Sequence, residues 1–191
     1  MSDTKEKILD TALELFSRDG YEAVSVSDIA GRLDMTKGAL YKHYKNKRDI
    51  FDSIVTRMEE VYSASFSADT DDDPPAGISP ALRAVLDYCT SSFLFWTGDA
   101  FAASFRKMLV LEQYRSEEMG RLYREYLVSG PVEKLTETLR SFHVGGASEK
   151  AVSLYSVLYL FFSIYDGAED KMGTAAILKE NIERLCFRLI G

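Results

Sequence analysis

Residues 25–44 read SVSDIAGRLDMTKGALYKHY, and the apolar spacing within them indicates two short helices joined by a turn. Ser25 and Asp28 fit the two positions of a capping box at the start of the first helix. Thr36 can cap a second helix that runs from Lys37 to about Tyr44. The first helix has an apolar side that can pack on a preceding helix, formed by Val26, Ile29, Ala30 and Leu33.

The second of these helices is unusually polar, with only Ala39 and Leu40 as apolar anchors. A helix so short gains little from burial, so its exposed face is expected to serve a function. Reading of DNA explains such a face, because the major groove admits one helix. Gly38 would let the backbone come close, and the free amides of the helix N-terminus favour a phosphate. Donors to DNA would come from Lys37, Tyr41, His43, Tyr44 and Lys47.

The charge of the chain is unevenly distributed. The 191 residues carry a net charge of −7, which taken as a whole disfavours binding to a polyanion. Residues 35–48, however, hold five basic residues and no acidic one, which leaves −12 for the rest. Because salt screens charges beyond roughly 8–10 Å, a compact basic patch on an acidic body can still dock on phosphates.

Residues 26–51 read VSDIAGRLDMTKGALYKHYKNKRDIF, and this run resembles the signature of TetR-type repressors. The resemblance covers about residues 5–55, and its most specific part is the Leu-Tyr-x-His-Tyr-x-x-Lys pattern of residues 40–47. It implies an all-α fold with a three-helix helix-turn-helix DNA-binding head (residues 1–47). A larger C-terminal helical body (residues 48–191) would bind a ligand and dimerise.

The resemblance also implies which side chains contact DNA. Base or backbone contacts are expected at Lys37, Tyr41 and His43, with Gly38 allowing close approach. Phosphate contacts are expected at Ser25, Thr36, Tyr44 and Lys47. The partner would be a double-stranded, palindromic operator, which a homodimer would read with two heads about 34–36 Å apart.

Two residues depart from the family pattern. Asp34 stands where the family usually has glycine in the turn; aspartate tolerates the left-handed conformation but adds a negative charge near DNA. Ala39 replaces a frequent hydroxyl residue, so one contact to DNA would be lost. These departures and the acidic body leave open a helical interaction protein with a degenerate helix-turn-helix that does not bind DNA.

The segment from Ser148 to Gly167 is apolar around almost its whole circumference, so it must be covered on all sides. It would be either a completely buried central helix or a helix that shares its second side with a partner. The resemblance implies that this helix and the last one pair with their twins in a four-helix bundle. The side chains assigned to that homodimer interface are Tyr155, Leu158, Phe162, Leu178, Ile182 and Leu185.

The middle of the chain is rich in aromatic residues, which can line a pocket for a small apolar or aromatic effector or simply fill the core. The residues assigned to effector binding are Phe93, Trp96, Phe105, Met108, Tyr123 and Tyr126. An effector that favours a head separation unlike that of the operator would release DNA, so a ligand-responsive repressor is expected.

Other function classes find little support. With two histidines, no phosphate-binding glycine loop and no Gly-x-Ser-x-Gly elbow, the chain is not expected to be an enzyme or to need a metal or cofactor.

Residues 1–7 lack the apolar run of a secretory signal, and no apolar run approaches about 20 residues, so a cytoplasmic protein that does not enter the membrane is expected. Cys89 and Cys186 are interpreted as buried free thiols. Residues 67–80, rich in Asp and Pro, predict an exposed, mobile loop.

Overall fold

A computed structural model of the chain describes residues 3–66 and 77–191, which form helices joined by short turns, with no strand in these two ranges. The all-α fold is therefore confirmed. The loop predicted for residues 67–80 lies outside the described residues over 67–76. The helices are α1 (Asp3–Asp19), α2 (Val26–Arg32), α3 (Lys37–Leu40), α4 (Lys47–Phe66), α5 (Pro80–Gly98), α6 (Ala100–Glu112), α7 (Glu117–Leu127), α8 (Ser129–Ser141), α9 (Ala147–Gly167) and α10 (Lys171–Ile190).

The described residues divide into two compact units. The first takes the residues up to Ser65 together with Ala100–Tyr123, and the second takes Phe66, residues 77–99 and Arg124–Gly191. The head thus packs into one unit with α4, α6 and part of α7, and this boundary differs from the functional division expected after residue 47. That division into head and body stays a prediction.

The first unit is centred on α1, whose apolar spacing predicts its buried side. The buried side chains of α1 are Ile8, Leu9, Ala12, Leu13, Leu15 and Phe16. The helix ends at Asp19, and Gly20 after it adopts φ +89° and donates its N–H to the Phe16 carbonyl at 3.0 Å. This left-handed conformation suits glycine, as the sequence predicts for a helix stop. At the other end of the head, the Asn46 side chain accepts the Asp49 N–H at 2.9 Å and so caps α4.

The second unit contains α5, α8, α9 and α10, with a helix break between α7 and α8. The Gly130-Pro131 pair predicts a break within this stretch, and the structure places it two residues earlier, at Val128. Pro131 therefore stands in the first turn of α8, where its missing N–H has no helical partner to lose. Gly130 is required by packing, because a Cβ there would lie 1.9 Å from the Glu125 carbonyl oxygen.

Helix α9 is buried on one side only. Leu154, Leu158 and Phe162 are buried, and the Tyr155 hydroxyl donates to the Leu127 carbonyl at 3.1 Å. The opposite side is exposed, so α9 is not the completely buried central helix that was one of two alternatives. Both cysteines are free and buried, which confirms the interpretation from sequence. None of the described helices is long and apolar enough to cross a membrane.

Candidate nucleic-acid interface

The turn between α2 and α3 is built around Asp34, which adopts φ +53° in the left-handed region. The Asp34 N–H donates to the Gly31 carbonyl at 3.2 Å, and the Met35 N–H donates to the Ala30 carbonyl at 2.9 Å. These two bonds close the end of α2 and reverse the chain towards α3. Aspartate thus fills a glycine-like position, because its short polar side chain tolerates this conformation better than most.

Hydroxyl side chains cap the starts of both helices. Ser25 and Asp28 form a reciprocal capping box: the Asp28 N–H donates to the Ser25 hydroxyl at 3.2 Å, and the Ser25 N–H donates to the Asp28 carboxylate at 2.7 Å. Hydrogen bonds from the Ser25 hydroxyl and backbone hold the pKa of the Asp28 carboxyl below its usual value. The Thr36 hydroxyl accepts the Ala39 N–H at 3.1 Å. Both hydroxyl groups are on exposed residues, and the Thr36 hydroxyl keeps its own proton for a further acceptor.

Helix α3 is anchored by one side chain and exposed elsewhere. Leu40 is fully buried, whereas Lys37 and Gly38 are exposed and 44% of the Tyr41 surface remains accessible. The Lys37 Nζ lies 5.8 Å from the centroid of the Tyr41 ring, so the two side chains share one outer surface. The helix ends at Leu40 and continues as a turn that includes half-buried His43, which makes it shorter than predicted.

Tyr44 belongs to the core of the head. Its side chain is buried and its hydroxyl donates to the Lys5 carbonyl on α1 at 3.4 Å. Burial raises the pKa of this phenol. The phosphate contact expected at Tyr44 stays a prediction, and the burial of the ring and the bond from its hydroxyl to Lys5 count against it.

Lys47 is turned towards the loop between α1 and α2. Its side chain is only 22% exposed, and its ammonium donates to the carbonyls of Tyr21 at 2.8 Å and Glu22 at 3.3 Å. The same ammonium lies 4.3 Å from the Tyr21 ring centroid. Two of its three N–H bonds are thus used within the protein, and the Glu22 carboxylate lies 3.9 Å from the same nitrogen. The expected phosphate contact of Lys47 stays a prediction, and these groups compete with it.

The other basic residues of the stretch 35–48 differ in whether a carboxylate pairs with them. Arg48 forms a bidentate ion pair with Glu118 at 2.6 and 2.7 Å and also bonds Asp52 at 2.7 Å. This pairing raises the Arg48 pKa and lowers that of the Glu118 carboxyl. Among the residues that the structure describes, no carboxylate pairs with the exposed side chains of Lys37, Lys42 and Lys45. We call these three residues the lysine triplet; two of them, Lys42 and Lys45, were missing from the predicted site although they lie in the basic window.

The six residues predicted to bind an effector are divided between the two compact units. Phe105, Met108 and Tyr123 belong to the first unit, and Phe93, Trp96 and Tyr126 to the second. Trp96 packs edge-on against Tyr126, with ring centroids 6.4 Å apart, as expected of core residues. Effector binding at these residues stays a prediction.

An apolar groove of about 330 Å³ opens between α5 and α10 in the second unit. Of the predicted effector residues, Phe93 lines it. The other walls were missed, because the sequence does not reveal which faces of α5 and α10 lie opposite each other. They include Cys89, Thr90, Leu94, Leu178, Lys179 and Ile182.

Most of the side chains assigned to the homodimer interface are buried. Five of the six assigned side chains are buried within this one chain, which counts against a direct contact with a partner: Tyr155, Leu158, Phe162, Leu178 and Ile182. The sixth, Leu185, is half-buried. The exposed apolar side chains of α9 are Val152, Leu160 and Ile164, which are 50%, 56% and 44% accessible. The assigned residues of α9 therefore lie about half a turn from its exposed apolar side, since a segment that is apolar all round does not reveal which side packs inward, and the dimer assignment stays a prediction.

The sequence similarity to known proteins covers only part of this chain, and the family match lies in the head and the start of α4. Residues 8–54 match the family model described as bacterial regulatory proteins, tetR family. The chain is 38% identical over 74 residues to the HTH-type transcriptional regulator AcrR of Shigella flexneri, covering 35% of this chain and 34% of AcrR. It is 43% identical over 47 residues to the biofilm operon icaADBC HTH-type negative transcriptional regulator IcaR of Staphylococcus epidermidis, 25% of each chain. The chain thus matches about a third or less of the length of these relatives.

Solved structures share the fold over nearly the whole length. A bacterial regulatory protein in the tetR family from Rhodococcus RHA1 superposes with a TM-score of 0.67 at 20% identity, covering 99% of this chain and 98% of that one. A protein from Saccharomonospora viridis that was solved in complex with choline superposes with a TM-score of 0.67 at 16% identity, covering 96% of this chain and 95% of that one. Residues 8–54 thus carry the pattern of the tetR family of bacterial regulatory proteins, in a chain whose fold resembles that of these solved structures.

Proposed function

We propose that the protein is a transcriptional regulator that binds duplex DNA with α3 and the lysine triplet. The observation that carries the proposal is the outward surface of α3, with Lys37, Gly38 and Tyr41 exposed above a single buried anchor. Polar side chains of this kind can remain in water at little cost to the stability of the head. They also suit a DNA groove, which is lined by phosphates and base edges. The regulators AcrR and IcaR, which match this segment, support the assignment.

The test is binding to duplexes selected from a random library by the protein itself. Lys37→Ala and Tyr41→Ala remove exposed groups, so both variants are expected to fold normally and to weaken binding at least tenfold, about 1.4 kcal/mol or more each. Lys134→Ala removes an exposed lysine from α8 and serves as the matched control. Undiminished affinity of both head variants, measured by fluorescence anisotropy, would contradict the proposal.

The regulator is further proposed to act as a homodimer on a palindromic operator. The support is the outer side of α9: between Lys150 and Asp166 the helix carries no charged residue, and its exposed positions hold Val152, Leu160 and Ile164 among serines. An uncharged, apolar helix side in water is typical of a protein–protein contact. The outer side of α9 in a second copy of the chain would bury these apolar side chains in a two-fold symmetric contact.

Sedimentation measures this part of the proposal. Leu160→Glu is expected to convert a dimer into a monomer, because two carboxylates would be brought together in an apolar contact. Leu111→Glu, on α6 and nearly as exposed, is the control and should leave the dimer intact. A wild-type monomer at micromolar concentration, or a dimer unaffected by Leu160→Glu, would refute the interface.

A small-molecule effector completes the proposal. A protein of the same fold was solved with choline, and the second unit has aromatic side chains and an apolar groove. The effector proposed is a small apolar or aromatic compound that prefers the DNA-free state. Release of DNA by a compound that also raises the melting temperature would support it, and compounds that stabilise the protein without altering DNA affinity would oppose it.

The competing hypothesis is a helical interaction protein whose helix-turn-helix no longer binds DNA. Asp34 and the acidic remainder of the chain favour it, since both repel phosphates. A fall of DNA affinity with salt that matches several phosphate contacts would exclude this hypothesis, whereas binding too weak to measure at low salt would favour it.

A further inference from the structure

Glu112, the last residue of α6, is a carboxylate buried against the head. It is 1% exposed, and its Oε1 accepts the backbone N–H of Tyr21 at 3.1 Å. Arg115, which is itself exposed, brings its Nε to 3.7 Å from the same oxygen. A buried carboxylate is costly unless hydrogen bonds or charges compensate it. Its principal partner here is a backbone amide of the loop between α1 and α2.

Gly20 makes this approach possible. A Cβ on Gly20 would lie 2.7 Å from the Glu112 Oε1, closer than carbon and oxygen can come without displacement. Gly20 also adopts φ +89°, which few other residues tolerate. The glycine that ends α1 therefore leaves the space in which the carboxylate of α6 reaches the next peptide.

Lys47 holds the same loop from α4. Its ammonium donates to the Tyr21 carbonyl at 2.8 Å, while Glu112 takes the N–H of the same residue. The Tyr21 ring is packed between Phe16 on α1 and Phe51 on α4, with centroids 5.1 and 5.2 Å away. We call this arrangement the Tyr21 clamp: both backbone groups and the ring of Tyr21 are fixed by other elements.

The Tyr21 clamp lies four residues before Ser25, the cap of α2. Because α2 and α3 are short and follow this loop directly, the loop helps to set where α3 stands relative to α1 and α4, together with the buried side chains of Ile29 and Leu40. We infer that Glu112 is a positioning residue for DNA binding: it acts through the Tyr21 amide to keep the head in the conformation that presents α3. This inference rests on the proposed function and adds to it a residue outside the helix-turn-helix motif.

The consequence is a population effect. Without the carboxylate, the loop samples other positions, and only the fraction of molecules with α3 correctly placed binds DNA at full strength. If that fraction falls to about one tenth, the measured Kd rises about tenfold, while the phosphate contacts of the bound state are unchanged. The slope of log K against log salt should therefore remain that of the wild type.

The experiment compares Glu112→Ala, Glu112→Gln and the control Leu109→Ala in the full chain. Leu109 is a fully buried residue one turn earlier on α6, so its truncation lowers stability without touching the Tyr21 amide. We expect Glu112→Ala to weaken DNA binding about tenfold at an unchanged salt slope, with faster hydrogen exchange at the Tyr21 amide. Glu112→Gln keeps an oxygen acceptor and should restore most of the affinity.

The outcomes separate this inference from the proposed function. If the wild type binds DNA and Glu112→Ala binds equally well, or loses no more affinity than Leu109→Ala, the inference is overturned and the function stands. Exchange at the Tyr21 amide that does not change in Glu112→Ala overturns it too. If the wild type binds no duplex at all, the function fails, and the inference that rests on it fails as well.

Discussion

The lysine triplet allows a quantitative prediction for salt dependence. Each lysine that neutralises a phosphate contributes about −0.9 to the slope of log K against log salt, so three give about −2.7 per head and about −5.4 for two heads. Arg48 is excluded from this count because Glu118 and Asp52 already pair with it. Lys42→Gln removes one contact per head, and the slope of a dimer should become shallower by about 1.8.

This change is large enough to measure. Over a fourfold rise in salt, from about 50 to about 200 mM, a slope difference of 1.8 makes the affinity of the wild type fall about twelvefold more than that of Lys42→Gln. Anisotropy titrations on one selected duplex at five salt concentrations give the slopes. Lys134→Gln, which makes the same change in net charge on α8, should leave the slope at its wild-type value. Equal slopes for Lys42→Gln and the wild type would refute the assignment of phosphate contacts to the triplet.

Three further predictions concern the stability of the head. Leu40→Ala should lower the free energy of unfolding by about 2–5 kcal/mol, because Leu40 is the buried anchor of α3; urea denaturation giving less than 1 kcal/mol would contradict this packing. Thr36→Ala should cost about 1 kcal/mol through loss of the helix cap, and Thr36→Ser should not. Glu118→Gln should cost less than about 1 kcal/mol at neutral pH, since the pair with Arg48 is largely exposed. Because Arg48 lowers the Glu118 pKa below 4.5, this difference should vanish as the pH falls through the lowered value, and a difference that persists in acid would oppose the prediction.

Local signals in the sequence were sufficient for much of the head. The capping positions of Ser25 and Thr36 are read from short-range spacing, and both residues cap their helices in the structure. The buried side of α1 follows from its apolar period in the same way, because all of these features depend on residues within one or two turns. The left-handed conformation of Asp34 also follows from its position in a turn.

Features that depend on distant packing could not be predicted. Tyr44 and Lys47 are polar residues in or beside the basic stretch. Tyr44 bonds to Lys5 and Lys47 bonds to Tyr21, and these contacts between residues distant in the chain show that both side chains stabilise the head. On α9 the apolar residues surround the helix, so periodicity contains no information about which side faces α5 and α8. The sequence contains many carboxylates and nothing in it marks Glu112. Only the structure shows that this carboxylate is buried.

Lysine acylation with and without duplex DNA tests the central claim most directly, because it reports which ammonium groups DNA covers. The protein is treated with an acylating reagent, alone and with a selected duplex, and the modification of each lysine is measured by mass spectrometry. If α3 enters the groove, Lys37, Lys42 and Lys45 should be protected by DNA, while Lys134 and Lys179 should react as before. Equal reactivity of the lysine triplet in both samples, at a DNA concentration that saturates binding, would contradict the claim that this surface reads DNA.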